Sequence, residues 1–246
     1  MPNFKAGVTA AVERVRGSEG QSLVQQACDA IVHAIARGVF LPGDRMVEAY
    51  IAEDLGFSRV PVREALRGLE HRGLLHSPDK GLRLIVPTQR DVEELVELRR
   101  MMESAALRHA MARQGGPDRW NSLRDALREG RAAAAARDAT RAIVADRRFH
   151  EALWREAGHE LLLSSLIQLW QRQLVMCTAM REQIDFKTGQ ADHEGILAAI
   201  EAGDWEEAER RLTAHGGWLA QQDFAAALKG AREARRLAAL RAKWRT

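Results

Sequence analysis

The sequence predicts a mainly α-helical chain in two parts. A small N-terminal domain of three helices is closed by a β-hairpin, and an antiparallel all-α helical bundle follows it. Three observations carry this reading. Apolar residues recur at helical spacing through most of the chain, with Leu23, Ala27, Ile31 and Ile35 opening the pattern. Strand-like sequence is confined to one short stretch, Leu82-Arg83-Leu84-Ile85-Val86, behind the turn residues Pro78-Asp79-Lys80-Gly81. Beyond Pro87 the helix breakers mark out segments of roughly 20 residues with short connections, as antiparallel bundles require.

Residues 1–20 are polar and end in the breaker cluster Gly17-Ser18-Glu19-Gly20, which predicts a flexible leader. Ser22 opens the first helix, which ends near Gly38, and Leu41-Pro42-Gly43-Asp44 is turn chemistry. A second short helix runs from about Val47 to Leu55 and stops at Gly56. Ser58 is a natural N-cap for the third helix. Pro61 falls in its first turn, where the missing N–H has no intrahelical partner to lose. Val62, Ala65, Leu66 and Leu69 form its core side, and it ends at Gly73. Leu74-Leu75-His76-Ser77 then supplies the first strand of the hairpin. Helix, helix, tight turn, helix, hairpin is the order of a winged helix-turn-helix, spanning 21–87.

The composition shifts near Pro87, where Thr88 can cap the next helix with Asp91 three residues on. Six helices follow, bounded by Gly115-Gly116-Pro117, Arg137-Asp138, Gly158, Lys187-Thr188-Gly189 and Gly203-Asp204, and they extend the second domain over 88–228. Trp120, Trp154, Trp170, Trp205 and Trp218 are expected in the bundle core rather than on a stacking platform. Residues 229–246 form a basic tail, expected to be helical and solvated.

At 246 residues the chain has room for two domains of ordinary size. Its net charge of +3 comes from the tail, which holds seven basic residues against one acid and leaves the rest net negative. Cys28 and Cys177 are isolated, so neither a disulfide framework nor a zinc knuckle is encoded and a reducing compartment is expected. No apolar run approaches the roughly 20 residues of a membrane span. With no signal-peptide core at the N-terminus, a cytoplasmic protein without membrane contact is expected.

Arg59, Arg63 and Arg67 recur every four residues opposite Val62, Leu66 and Leu69, a basic stripe on the solvent face of the third helix. Such a helix fits the major groove of DNA. Lys80, at the hairpin tip, could meet a phosphate or the minor groove. A plain solvated face has the same spacing. Residues 22–88 hold eight basic and eight acidic side chains, so attraction to DNA depends on their layout. The run Gly38-Val39-Phe40-Leu41-Pro42-Gly43-Asp44, followed by Ile51-Ala52-Glu53-Asp54-Leu55-Gly56-Phe57-Ser58-Arg59-Val60-Pro61-Val62-Arg63-Glu64-Ala65-Leu66, closely resembles the DNA-binding domain of GntR-family bacterial transcription regulators. The resemblance covers about residues 22–87. It implies that Arg59 and Arg63 contact the operator and that Lys80-Gly81 forms the wing tip. One departure is Ala49 after Glu48, where the family often carries Arg.

Asp146 and His150 stand four apart and share a helix face, while His193 and His215 fall on two further helices. Three imidazoles and a carboxylate suit a divalent metal of the zinc, nickel or manganese class. A carboxylate orienting a histidine in a buried pair would explain the first two residues as well. Arg99 shares the inward face of Leu95, Met102 and Ala106 and needs an anionic partner, either a ligand carboxylate held at the metal or Glu103 one turn on. About residues 90–225 resemble the FCD ligand-binding domain of the FadR subfamily. The matching pieces are Glu97-Leu98-Arg99-Arg100 with Glu103, Asp146-Arg147-Arg148-Phe149-His150, Asp192-His193 with Ile196 and Ile200, and His215 behind Gly203-Asp204 and Ala208. That resemblance implies Asp146, His150, His193 and His215 as metal ligands, and six helices look like its VanR-type branch.

The reading that follows is a homodimeric, ligand-responsive transcription regulator, a repressor, that binds palindromic double-stranded operator DNA and is modulated by a small organic-acid effector. It is expected not to be an enzyme, since the chain lacks His-Glu-x-x-His and places no evident general base beside the four residues. The alternatives are a regulator that senses the metal itself without an organic effector, and a metal-dependent hydrolase fused to a DNA-binding head.

Overall fold

A computed structural model describes residues 21–79, 81–116 and 118–243. The leader at 1–20 and Lys80 lie outside the described residues. The chain divides into two compact units. One holds the described residues up to Thr88 together with Gln171–Arg181 and the chain from Asp223 on; the other holds Gln89–Trp170 and Glu182–Gln222.

In the first unit, α1 (Leu23–Ala36), α2 (Glu48–Leu55) and α3 (Arg59–His71) precede the strands β1 (Leu75–Asp79) and β2 (Gly81–Leu84). Ser22 caps α1 by accepting from the Gln25 N–H at 3.2 Å. Gly56 ends α2 in the left-handed region (φ 66°), which a side chain would strain, and so permits the tight turn into α3. Ser58 occupies the N-cap of α3, but its side chain makes no capping hydrogen bond, contrary to expectation. Ile31 and Ile35 of α1, Leu66 and Leu69 of α3, and Leu74 and Leu84 of the hairpin are fully buried and make the core.

The strands pair antiparallel, with Leu75 opposite Leu84 and His76 opposite Arg83. Pro78, expected in the turn, lies in β1 instead, within the irregular register between His76 and Asp79, where no ladder N–H is required of it. The loop after α1 joins the hairpin from its other side. Gly43 N–H donates to the Leu84 carbonyl at 2.9 Å, Leu84 N–H to Asp44 at 3.0 Å, and Met46 N–H to Leu82 at 2.9 Å.

The tail is the largely exposed helix predicted for it, but two of its arginines are engaged. Residues Phe224–Lys243 form a helix, here α10, with Phe224, Ala227 and Leu228 buried. Arg235 grips Asp44 with two hydrogen bonds, at 2.6 and 2.8 Å, and Arg232 donates to the Pro42 carbonyl at 2.7 Å. Charge composition identified the basic helix but not the carboxylate 191 residues away that receives it.

The second unit is built from α4 (Gln89–Ala112), α5 (Asn121–Ala135), α6 (Ala139–Glu156), the first half of α7 (Glu160–Ala179), α8 (Phe186–Glu201) and α9 (Trp205–Gly216). These are the six expected helices. The last does not run to residue 228, because a short 3₁₀ turn at Trp218–Gln221 interrupts it before α10. Asp138 and Asp204 cap α6 and α9, each accepting a backbone N–H at 3.0 Å. Lys187-Thr188-Gly189, read as a break, is the first turn of α8, because Asp185 caps it through the Lys187 and Thr188 N–H groups. Leu107, Leu123, Phe149, Leu153, Ile196 and Ala208 form the centre of the core. Trp154 and Trp170 are buried as expected, whereas Trp120, Trp205 and Trp218 are only half-buried. In this packing α4 lies against α6 and α9, and α8 against α6 and α9, so the helices bearing the predicted ligands are mutual neighbours.

Candidate functional site

Asp146 and His150 come from α6, His193 from α8 and His215 from α9, and one donor atom from each lies within 4.8 Å of the others. The three imidazoles meet through the same nitrogen. Nε2 of His193 is 3.3 Å from Nε2 of His150 and 3.0 Å from Nε2 of His215, and the remaining pair is 3.4 Å apart. Asp146 Oδ1 faces the cluster, 3.5 Å from His193 Nε2 and 3.9 Å from the other two. Ligands about 2.1 Å from a shared ion, at angles of ~95–110°, would have separations like those between the nitrogens.

The surroundings fix the rings. Asp192 Oδ2 lies 3.2 Å from Nδ1 of His215, so the proton belongs on Nδ1 and the Nε2 lone pair is turned toward the cluster. Phe149 stacks on His193 with centroids 4.4 Å apart. Burial, then the neighbouring His193 and His215, holds His150 well below its ordinary range; burial, then His215, does the same for His193. Both rings are therefore neutral at pH 7 and fit to donate to a cation. Burial raises the Asp146 carboxyl, against the pull of His215 and Arg99.

Arg99 is buried as predicted, and its guanidinium donates to Glu103 one turn along α4. Among the described residues, three buried donors around this pair nonetheless have no hydrogen-bond partner: Arg99 Nε, Trp154 Nε1 and His150 Nδ1, the last 3.5 Å from Glu103 Oε1. Buried polar groups left this way are costly and mark where a further polar group fits. Asp192 and Glu103 belong to stretches that resemble the FCD domain, but the resemblance implies neither as a metal ligand. The sequence signals for Asp192 are its place beside His193 and within the FCD-like stretch.

In the first unit, Arg59, Arg63 and Arg67 lie exposed along α3. Glu48 on α2 receives Arg59 Nε at 2.8 Å, Arg63 Nε at 2.9 Å and Arg63 Nη2 at 3.2 Å. Hydrogen bonds from Arg63 and then from Arg59 bring the Glu48 carboxyl down to about 2. Arg67 pairs with Glu64 on its own helix at 3.1 Å. A cleft of about 450 Å³ between α3 and the hairpin is lined by Arg45, Arg63, Arg67, Ser77 and Gly81 among others. Gly81 adopts φ 105°, and a Cβ there would sit 3.2 Å from Arg45 Nη2. Arg45 was not singled out from the sequence, since it stands outside the α3 periodicity.

Comparison with known proteins bears on both units. The model of bacterial regulatory proteins of the gntR family matches residues 23–81, and that of the FCD domain matches residues 94–217. The chain is 31% identical over 195 residues to the "Probable D-xylose utilization operon transcriptional repressor" of Paenarthrobacter nicotinovorans, covering 79% of this chain and 85% of that one. The chain belongs to the GntR family and carries an FCD domain. Another relative of this GntR-family regulator is McbR of Escherichia coli, 26% identical over 195 residues, 75% of this chain and 85% of McbR. The solved structure of E. coli McbR/YncC superposes with a TM-score of 0.74 at 25% identity, covering 85% of this chain and 99% of that one. A GntR regulator from Rhodococcus sp. RHA1 gives 0.68 at 26% identity, covering 80% and 94%. The GntR-family chain is thus a transcriptional regulator rather than an enzyme, and the expected fold class, winged helix-turn-helix then helical bundle, is the observed one. No helix among the described residues is long and apolar enough to cross a membrane.

Proposed function

We propose that the protein is a homodimeric repressor that reads a palindromic operator and is released from it by a small carboxylate bound beside a divalent metal. Asp146, His150, His193 and His215 would hold the ion, of the zinc, nickel or manganese class, with Asp192 setting the tautomer of His215. A bound ion supplies a positive charge to which a carboxylate can attach. The Arg99 guanidinium, with its unpartnered Nε, and the Trp154 indole would orient that carboxylate. Arg59, Arg63 and Arg67 would face the major groove, with Lys80-Gly81 at the wing tip; two-fold symmetry of a dimer gives the palindrome. The name of the Paenarthrobacter relative supports the repressor assignment. One observation carries the reading: three imidazoles on three helices point the same nitrogen, Nε2, at one another within 3.4 Å, an arrangement that a cation between them would satisfy.

A thermal-shift screen of small carboxylates, run with and without chelator, tests it. A stabilising carboxylate whose effect vanishes on chelation is expected. A carboxylate that stabilises equally in chelator, or a protein that takes up no divalent ion, refutes the reading. The Arg99–Glu103 ion pair favours a second reading, in which Arg99 already has its anion and the metal alone is sensed. Operator release that follows metal concentration with no organic acid present would select it.

A further inference from the structure

The two arginines expected to read the operator are not free side chains. They share one carboxylate, and that carboxylate comes from a different helix. Glu48 sits in the first turn of α2, 11 residues before Arg59 and 15 before Arg63 in sequence. It accepts from Nε of both, and from Nη2 of Arg63. Among the described residues, neither terminal nitrogen of Arg59 nor Nη1 of Arg63 takes part in these hydrogen bonds. A guanine edge is read by such terminal N–H groups, in a fixed fork.

We infer that Glu48 is a positioning residue for operator reading: its carboxylate holds Arg59 and Arg63 by their inner nitrogens and presents their outer nitrogens to base edges. This rests on the reading that Arg59 and Arg63 face the groove. Two opposed effects follow from the chemistry. The carboxylate removes one unit of positive charge from the face and so weakens attraction to phosphate, which carries no sequence information. It also fixes two long side chains that would otherwise lose rotamer freedom on binding, which strengthens recognition of the right bases. Glu48 therefore trades indiscriminate affinity for selectivity. As a stability element it counts for little, because ion pairs this exposed are screened by water and must hold two long side chains in place. The side chain at position 49 is alanine, so the residue next to Glu48 brings no cation of its own.

The test uses the full chain, an operator recovered by selecting bound duplexes from a random pool with the wild-type protein, and a random-sequence duplex of the same length. Glu48→Ala should bind the random duplex more tightly, with the slope of log K against log salt steeper by up to ~0.9. It should bind the operator roughly tenfold more weakly, the loss of one well-placed arginine contact. Glu48→Gln keeps an acceptor for one arginine and should fall between. A variant that weakens both duplexes alike, with a lowered melting temperature, would make Glu48 merely structural and overturn the inference. So would a variant that binds both more tightly by the same factor, for the carboxylate would then only mask charge. Arg63→Ala separates the two levels. If it leaves operator affinity intact, the groove reading fails; if it lowers it while Glu48→Ala does not, only the role of Glu48 fails.

Discussion

Without a bound metal, the stability of the protein should fall steeply below neutral pH, and the buried histidines set the size of the fall. His150 and His193 are 2% and 4% exposed. Burial holds both well below 6.5, so in the folded protein they stay neutral where the unfolded chain takes up protons. Between the folded values and 6.5 the unfolded state binds more protons, so stability rises with pH up to 6.5 and is lost as pH drops beneath it. For each ring that stays neutral, lowering pH from 7.5 to 5.5 costs about 1.4 kcal/mol, hence ~2.7 kcal/mol for the two. At ~2–4 °C per kcal/mol, the melting temperature should drop by roughly 5–10 °C. Asp146 works in the opposite sense from 3.8 upward, since burial raises it. The informative quantity is therefore the pH dependence of wild type minus that of His193→Gln. Thermal unfolding followed by circular dichroism in chelator, at both pH values, measures it, and any uniform destabilisation by the substitution cancels. The variant should lose about half the drop, ~1.4 kcal/mol. Equal pH dependence in the two proteins would refute the argument that burial keeps His193 neutral.

Asp192→Ala removes the acceptor that turns His215 toward the cluster, and should weaken metal affinity by roughly 10–100-fold. Competition against a chromophoric chelator reads this, and wild-type affinity would show that the His215 orientation is set elsewhere. The α10 contact with the α1–α2 loop can be weighed by a double-mutant cycle on Arg235 and Asp44, read by thermal or denaturant unfolding. The pair is bidentate but a third to a quarter exposed, so coupling of ~0.5–1 kcal/mol is expected. Asp44→Ala should cost more than Arg235→Ala, because Asp44 also accepts the Leu41 N–H at 2.9 Å. Coupling indistinguishable from zero would mean that the ion pair does not help to hold the helix, leaving that to buried Phe224 and Leu228 and the Arg232–Pro42 hydrogen bond.

The parts of this molecule that were legible in the sequence are those governed by local rules. Gly56, Asp138 and Asp204 stop and start helices through their own backbone and side-chain chemistry, and each does so where expected. Asp146 and His150 share a face because four residues make about one helical turn, and no tertiary information is needed. His193 and His215 were different. Nothing local joins them to α6, and the family resemblance, not periodicity, linked them. Contacts across long stretches of chain stayed hidden altogether: Glu48 with Arg63, Asp44 with Arg235, Glu103 beside His150. In each case a surface-like acidic residue meets a partner that only folding brings near. Lys187-Thr188-Gly189 misled for the opposite reason, since weak helix formers were overruled by one good cap at Asp185.

The charge balance of the proposed centre argues for what it would hold. His150 and His193 are neutral at pH 7, and Arg99 and Glu103 cancel within their ion pair. Asp146 then offsets only half of a divalent ion. An excess of one positive charge would remain beside side chains that are almost fully buried, where charge is poorly screened. Asp192 cannot remove it, because its side chain is 45% exposed and its charge is largely spent on water. A hydroxide or a carboxylate bound to the ion would restore neutrality, and the two differ in what else they satisfy. Hydroxide brings a single oxygen to the ion. A carboxylate would place one oxygen there and offer the other to Arg99 Nε or Trp154 Nε1, buried donors that have no partner among the described residues. Charge alone therefore asks for an anion, and the orphaned donors ask for one with two oxygens.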